Sequence, residues 1–197
     1  MMIIAFVGTV EDTMSGTIRG IGKTAAMTLY SYYEKTLKNR KIYTNYYTDF
    51  SDTIESCQNI LNHVFENKQN NSLIALTEMH NIINSLGSKN KQVQFIDKFA
   101  SQIRKLDCDM LYDTQRFHNI HIRLQLHTDV IFLMEKRHLD GNICRNDRCK
   151  LDHEIYIYRY LPYYPYWLRK FNPAIIGQHY DSGEVVYDQL NFVKGES

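Results

Sequence analysis

The sequence lacks several features that would place it in a specialised class of protein. No run of about 18 or more apolar residues occurs in the 197-residue chain, so we expect no transmembrane helix. Acidic and basic residues nearly cancel, at a formal net charge of +1, so any contact with nucleic acid needs a local basic patch. The N-terminus has neither a charged region nor a small-residue cleavage site, which predicts that there is no signal peptide.

Cysteine is sparse too, and the four cysteines are scattered through a chain of ordinary size. This usage favours a reducing compartment over a disulfide scaffold, so we expect a soluble, cytoplasmic protein. No internal repeat, low-complexity tract or linker interrupts the sequence, and its length suits a single domain that spans residues 1–197.

Apolar segments alternate with segments of helical periodicity along the chain. We predict strands at 2–7, 41–47, 72–77, 109–114 and 128–134, and helices at 25–38, 52–66 and 95–106. Strands that alternate with helices imply right-handed crossovers and a parallel sheet. The tyrosine-rich tail at 154–167 is predicted to be a strand followed by a segment broken by proline. The expected fold class is α/β, a mostly parallel central sheet flanked by helices, with a small β-rich C-terminal extension.

The loop between the first strand and the first helix contains glycines and ends in Lys23 and Thr24. Glycines let backbone N–H groups surround phosphate oxygens, and the N-terminus of the helix adds its positive end. The Lys23 ammonium can reach the β- and γ-phosphates of ATP, and the Thr24 hydroxyl can bind Mg²⁺. The predicted nucleotide-binding residues are Arg19, Gly20, Ile21, Gly22, Lys23, Thr24 and Ala25. The alternative is a flexible loop in which Gly-Lys-Thr occurs by chance.

A second constellation follows the apolar strand at 72–77, which leads into Thr77 and Glu78. A carboxylate at this position can polarise the water that attacks ATP, so Glu78 is the predicted base. Thr77 stands where an aspartate is usual, so Mg²⁺ would depend on Thr24 and Thr77. The alternative is a surface glutamate that merely follows a strand.

A third constellation follows the strand at 109–114. Gln115 can touch the γ-phosphate or the lytic water, and Arg116 and Arg123 are candidate charge stabilisers that a neighbouring subunit could supply. The alternative for each arginine is an exposed, solvated charge. Together with Glu78, these residues complete the predicted catalytic set.

Four segments carry a family resemblance: 3–7, 19–24, 75–83 and 113–117, with Arg123 following them. They resemble terminase-like viral DNA-packaging ATPases, the P-loop motors of archaeal viruses and phages, and more distantly the zonula-occludens-toxin-like assembly ATPases. The resemblance implies a three-layer P-loop NTPase fold of the RecA/ASCE type and an ATP-driven ring that moves double-stranded DNA in the host cytoplasm. It also implies contact with a capsid portal or a membrane-associated virion protein. The sequence departs from the family pattern at two positions, Thr17 in the loop and Thr77 after the strand. Both would affect the rate of hydrolysis more than the fold.

A separate group of potential metal ligands lies within sixteen positions near the C-terminal half: His138, Cys144, Cys149 and His153. Zn²⁺ accepts Cys and His ligands at short spacings from a loop or hairpin, and the alternative is a set of scattered, unliganded side chains.

For the whole chain, the main alternative to a motor is a nucleotide-binding assembly or scaffold protein with little or no hydrolysis. A small-molecule kinase is disfavoured by Glu78 and by the absence of an arginine-rich lid.

Overall fold

A computed structural model describes residues 2–8, 21–67, 70–82, 99–101, 103–146, 149–160 and 166–185. The strands are β1 (Ile3–Gly8), β2 (Lys41–Thr44), β3 (Tyr46–Thr48), β4 (Thr53–Ile54), β5 (Ser72–Leu76), β6 (Cys108–Thr114), β7 (Val130–His138), β8 (His153–Arg159), β9 (Tyr166–Phe171) and β10 (Tyr180–Val185). The α-helices are α1 (Lys23–Lys38), α2 (Cys57–Glu66), α3 (Met79–Ile82), α4 (Ile122–His127) and α5 (Ala174–Gly177), with short 3₁₀ turns at Ile103–Lys105 and Phe117–Asn119. Within these described ranges, every helix is too short or too polar to span a lipid bilayer.

Eight strands form one sheet in the order β4-β2-β5-β6-β1-β7-β8-β9. Six neighbouring strands run parallel to one another: β4, β2, β5, β6, β1 and β7. The last two strands, β8 and β9, are antiparallel to their neighbours. A separate antiparallel pair joins β10 to β3. The predicted fold class is therefore confirmed, including the β-rich C-terminal part. Because β1, β5 and β6 are adjacent and parallel, the residues that follow them meet at one edge of the sheet.

The sheet is buried on both faces, which is why its central strands read as apolar runs in the sequence. Every residue of β1, β5 and β6 is buried. On one face, Phe6 of β1 belongs to the same core as Met27 of α1. On the other face, Ala5 of β1 belongs to a second core with Ile60 and Leu61 of α2. The two cores make the three layers of helix, sheet and helix that the family resemblance predicted.

Local departures from the predicted elements have simple causes. The strand predicted at 41–47 is interrupted at Asn45, whose side chain bonds to the backbone of a neighbouring segment. The helix predicted at 52–66 begins only at Cys57, because Ser56 caps it and Thr53–Ile54 pairs with β2 as a strand. The tail contains β9 in addition to the predicted strand. Of the helix predicted at 95–106, residues 99–101 are helical and Ile103–Lys105 forms a 3₁₀ turn, whereas 95–98 and 102 lie outside the described residues.

Candidate nucleotide-binding site

The first turn of α1 follows a glycine whose conformation and surroundings both exclude a side chain. Gly22 has a φ of 86°, in the left-handed region, and a Cβ at this position would lie 2.6 Å from the Cδ1 atom of Ile155. The helix then begins at Lys23, which is buried. The N–H groups of a first helical turn have no acceptor within the helix, so the start of α1 suits an anionic ligand.

One buried carboxylate connects the start of α1 with the end of β5. Asp113 lies in β6 and accepts hydrogen bonds through Oδ2 from the hydroxyls of Thr24, at 2.6 Å, and Thr77, at 3.0 Å. Its Oδ1 atom accepts a third bond from the backbone N–H of Glu78 at 2.8 Å. The side chain is only 1% exposed, so these donors stabilise the carboxylate in place of water. Sequence reasoning assigned no role to Asp113.

The end of β5 is held by an amide clamp. The Oδ1 atom of Asn45 accepts from the Thr77 N–H at 2.7 Å, and its Nδ2 atom donates to the Thr77 carbonyl at 3.2 Å. Both groups are buried, so each bond satisfies a backbone polar group that would otherwise be costly to bury. This clamp fixes Thr77 while its hydroxyl points to Asp113, and it explains why β2 gives way to an irregular residue at Asn45.

Glu78 adopts an unusual backbone conformation with its carboxylate engaged. Its φ is 56°, in the left-handed region that residues other than glycine seldom occupy. The Oε2 atom lies 3.1 Å from Nε2 of His80 and accepts a hydrogen bond of 3.3 Å from Nδ2 of Asn81. Strain of this kind is concentrated at functional sites, which makes the turn at Glu78 a reasonable place to look for chemistry.

A cavity of about 560 Å³ opens at this edge of the sheet, a size ordinary for small-ligand sites. It lies beyond the carboxyl ends of the parallel strands, where open α/β sheets bind ligands. The predicted site residues that line it are Ile21, Gly22, Lys23, Thr24, Ala25, Thr77, Glu78 and Gln115. The two remaining predicted nucleotide-binding residues, Arg19 and Gly20, lie outside the described residues.

The two predicted arginines do not line this cavity. Arg116 lines a second cavity of about 410 Å³ with Gly8, Phe117 and Tyr160. Arg123 is exposed on α4. An isolated subunit therefore does not bring either guanidinium to the wall of the larger cavity.

Five residues that line the larger cavity were not among the predicted site residues: Asn81, Lys136, Ile155, Pro173 and Tyr180. Two of them carry titratable groups. Lys136 in β7 is buried beside the cavity, and its Nζ atom donates to the carbonyl of Asn146 at 2.8 Å. Tyr180 at the start of β10 also lines the cavity. Burial raises the pKa of its hydroxyl, and the nearby charge of Asp113 raises it further, so the hydroxyl stays protonated. The sequence signal available for Asp113 was an acidic residue near the C-terminal end of a largely apolar strand, which also carries Asp109 near its start. Tyr180 lies in a C-terminal segment to which sequence reasoning assigned no site role.

The predicted Cys/His group is brought together at the β7–β8 hairpin. His138 ends β7 and His153 begins β8, while Cys144 and Cys149 lie in the connecting segment. One ligand atom from each of the four residues lies within 4.8 Å of the others. His153 also lines the 560 Å³ cavity, so the group adjoins the candidate nucleotide site.

Sequence comparisons give no relative: no protein-family model matches the chain, and no curated protein matches it significantly. Solved structures do match. The genome packaging NTPase B204 from Sulfolobus turreted icosahedral virus 2, in complex with AMP, aligns with a TM-score of 0.55 at 9% identity, over 85% of this chain and 96% of that one. The N-terminal domain of zonular occludens toxin from Neisseria meningitidis aligns with a TM-score of 0.56 at 14% identity, over 92% of this chain and 100% of that one.

The KaiC-like protein PH0186 from Pyrococcus horikoshii OT3 gives a TM-score of 0.52 at 9% identity, over 87% of this chain and 84% of that one. At such identities the likeness is one of fold. The B204 structures include complexes with ATP-gammaS and AMPPCP, so this fold binds adenine nucleotides in that protein. The predicted resemblance to packaging and zonula-occludens-type ATPases is thus confirmed in the architecture, and the chain has the fold of the P-loop NTPases.

Proposed function

We propose that this protein is an ATP-hydrolysing motor for viral genome packaging or virion assembly, which moves double-stranded DNA as a ring of subunits. The observation that carries the proposal is the position of Asp113, which joins Thr24 at the start of α1 to Glu78 beyond β5. The Thr24 hydroxyl and the Glu78 carboxylate line one cavity, and the buried Asp113 carboxylate bonds to both residues from behind the wall. Phosphoryl transfer to water requires parts of this kind.

Nucleotide binding is assigned to the start of α1. The helix N-terminus and the buried Lys23 ammonium attract the β- and γ-phosphates, and the left-handed Gly22 lets the backbone turn beside them. The Thr24 hydroxyl and the Asp113 carboxylate form an all-oxygen donor pair, the kind that Mg²⁺ prefers. These residues fit Mg²⁺, which when bound supplies positive charge to the phosphate oxygens.

Hydrolysis is assigned to the residues beyond β5 and β6. Glu78 accepts a proton from water as the water oxygen bonds to the γ-phosphorus and the bond to the bridging oxygen of ADP breaks. Gln115 lines the same cavity and orients the water or the γ-phosphate. Arg116 and Arg123 do not line it, so we assign charge stabilisation to one of them from a neighbouring subunit.

The fold likeness to B204 supports the choice of DNA as the substrate that is moved, because that protein is a genome packaging NTPase. A capsid portal or a membrane-associated virion protein would be the docking partner of such a ring.

The second candidate, a nucleotide-binding scaffold protein with little hydrolysis, is favoured by one observation. The Glu78 carboxylate already contacts His80 and Asn81, and these contacts compete with a water molecule for its oxygens.

Steady-state ATP turnover of the purified protein with and without duplex DNA separates the two candidates. A motor hydrolyses ATP and does so faster when duplex DNA is added, whereas the scaffold binds ATP with negligible turnover under both conditions. Turnover that duplex DNA leaves unchanged would contradict DNA translocation while leaving the ATPase assignment in place.

A further inference from the structure

The β7–β8 hairpin brings two histidines face to face. His138 and His153 are directly opposed in the antiparallel register, and their ring centroids are 4.7 Å apart at an interplanar angle of 37°. This is a contact between two imidazoles with little apolar surface to gain from it. Their close approach therefore needs an explanation beyond packing.

Each of the two rings has a nitrogen with nothing to bond. Nδ1 of His138 and Nε2 of His153 are buried, and neither has a hydrogen-bond partner in the part of the chain that the structure describes. A buried polar atom left unsatisfied costs about 1–3 kcal/mol, and a bound ion is one of the accepted explanations for such an atom in a native fold. The lone pair of a neutral imidazole nitrogen is a zinc ligand.

Two thiols complete the cluster. Cys144 is buried and Cys149 is half-buried, and the four ligand atoms lie within 4.8 Å of one another. In a tetrahedral zinc site, bonds of about 2.0–2.3 Å place neighbouring ligand atoms roughly 3.3–3.8 Å apart. Small side-chain rotations are enough to close that difference. Two thiolates and two imidazoles fill the four positions of tetrahedral Zn²⁺, so such a site is structural and leaves no position for substrate.

Backbone hydrogen bonds hold the first part of the loop that carries the thiols, up to Cys144. Gly141 turns the chain with a φ of 87°, and the N–H of His138 donates to the carbonyl of Asn142 at 2.9 Å. The N–H of Cys144 donates to the carbonyl of Lys136 at 2.8 Å. Because these bonds fix both the strand end and the first thiol, little further ordering is needed when a metal binds.

The same hairpin forms one wall of the candidate nucleotide cavity. Lys136 and Ile155 line the cavity. Lys136 lies on β7 two residues before His138, and Ile155 lies on β8 two residues after His153. The Lys136 ammonium donates to the carbonyl of Asn146, between the two cysteines, and Ile155 lies against Gly22. A metal that fixes the hairpin would therefore also fix these two cavity-lining side chains.

We propose that His138, Cys144, Cys149 and His153 bind one structural Zn²⁺, and that this ion sets the wall of the nucleotide cavity through Lys136 and Ile155. The zinc site itself does not depend on the proposed ATPase function. The effect on the cavity rests on that function, and the two parts are tested by different measurements.

Zinc binding is tested by elemental analysis of the full-length protein purified under reducing conditions. We expect one zinc per chain, retained in Cys57→Ala and His118→Ala, which alter a cysteine and a histidine outside the cluster. We expect loss of zinc in Cys149→Ser and retention in Cys149→His, which keeps a ligand. Co²⁺ added to the metal-stripped wild type should give the absorption of a tetrahedral thiolate complex. Wild-type protein that binds neither zinc nor cobalt would overturn the site without reliance on any variant.

The effect on the cavity is tested by calorimetric titration of ATP into zinc-loaded and metal-stripped wild type. We expect removal of zinc to weaken binding roughly 5- to 10-fold, within the usual range for coupled sites, and restored zinc to reverse the loss. Equal affinity in the two forms would overturn the coupling. Absence of ATP binding in both forms would contradict the proposed function and the coupling together, while the zinc content would still decide the metal site.

Discussion

The Thr24 hydroxyl donates a 2.6 Å hydrogen bond to the Asp113 carboxylate, although 89 residues separate the two along the chain. The bond joins the first turn of α1 to the strand next to β1 in the sheet. Thr77, which stands where an aspartate is usual, also donates to Asp113. A buried carboxylate on β6 therefore lies beside the position at the end of β5 where the sequence has none.

Asp113→Asn, which preserves side-chain volume, should raise the Mg²⁺ concentration that is needed for half-maximal ATP turnover. The amide carries no charge, and loss of a residue that orients a metal ligand typically costs about 10–100-fold in metal affinity or activity. The measurement is a Mg²⁺ titration of turnover, with Asp49→Asn as the control, because Asp49 is an exposed carboxylate that follows β3 and does not line the cavity. A magnesium optimum identical to that of wild type would remove Asp113 from the metal site.

Lys23→Ala should abolish ATP binding, because the phosphates lose the buried ammonium at the start of α1. Isothermal titration measures the loss directly. Lys38→Ala is the matched control, since it removes an exposed lysine from the other end of the same helix. If Lys23→Ala binds ATP as wild type does, the assignment of this loop to phosphate binding is wrong.

Glu78→Gln should leave ATP binding intact and stop turnover, since an amide does not accept a proton from water. Binding by titration and turnover at saturating ATP are compared in the same preparation. Glu55→Gln, an exposed glutamate following β4, should behave as wild type in both. Turnover of Glu78→Gln at the wild-type rate would show that another group is the base.

The fold followed from the sequence more fully than the site did. Strands β1 and β5 are nearly continuous apolar runs, and burial on both faces gives them this composition, so their prediction was nearly complete. The position of Lys23 and Thr24 at the start of a helix followed from the loop composition. These features depend on short segments of sequence, which is why periodicity and local motifs reveal them.

The connections between distant segments could not be read in the same way. The clamp of Asn45 on Thr77 and the bonds of Asp113 depend on which strands are adjacent and on their register. Lys136 reaches the cavity only because β7 lies next to β1 and β8 folds back on it. A single sequence does not specify these three-dimensional neighbours, so the residues were missed.

Alkaline pH should destabilise the fold through buried acids that stay protonated. Burial raises the pKa of the Cys108 thiol from 9.0 to about 12 and also raises the pKa values of Tyr46 and Tyr112. Above pH 9 the unfolded chain releases the Cys108 proton while the folded chain keeps it. This contribution to stability is therefore complete below pH 9 and is lost as the pH rises towards 12, at about 1.4 kcal/mol per pH unit.

Denaturant unfolding between pH 8 and pH 11 measures this effect. Cys108→Ala should show a shallower decline of unfolding free energy with pH than wild type, whatever its stability at pH 8. Met110→Ala removes a buried side chain that does not titrate from the same strand and serves as the control, with the wild-type slope expected. Equal slopes for Cys108→Ala and wild type would contradict the raised pKa of the Cys108 thiol.

The arginines bear on whether a subunit is complete by itself. Among the described residues, neither Arg116 nor Arg123 lines the wall of the 560 Å³ cavity, so in the proposed motor a neighbouring subunit would supply the arginine that stabilises the transferred phosphoryl group. An arginine supplied in trans is worth about 10³–10⁵ in rate. Turnover should therefore rise more than linearly with protein concentration. A mixture of Arg123→Ala, which keeps Lys23, with Lys23→Ala, which keeps Arg123, should recover part of the activity that each lacks alone.

The recovery has a specific source. In a mixed assembly, an Arg123→Ala subunit contributes an intact Lys23 cavity, and a neighbouring Lys23→Ala subunit contributes an intact Arg123. Only such mixed interfaces contain a complete site. The same mixture made with Arg116→Ala identifies which guanidinium acts, because only the variant of the acting residue needs rescue. Strictly linear concentration dependence with no recovery in either mixture would exclude a shared site. The nucleotide-binding scaffold would then be the better account of this chain.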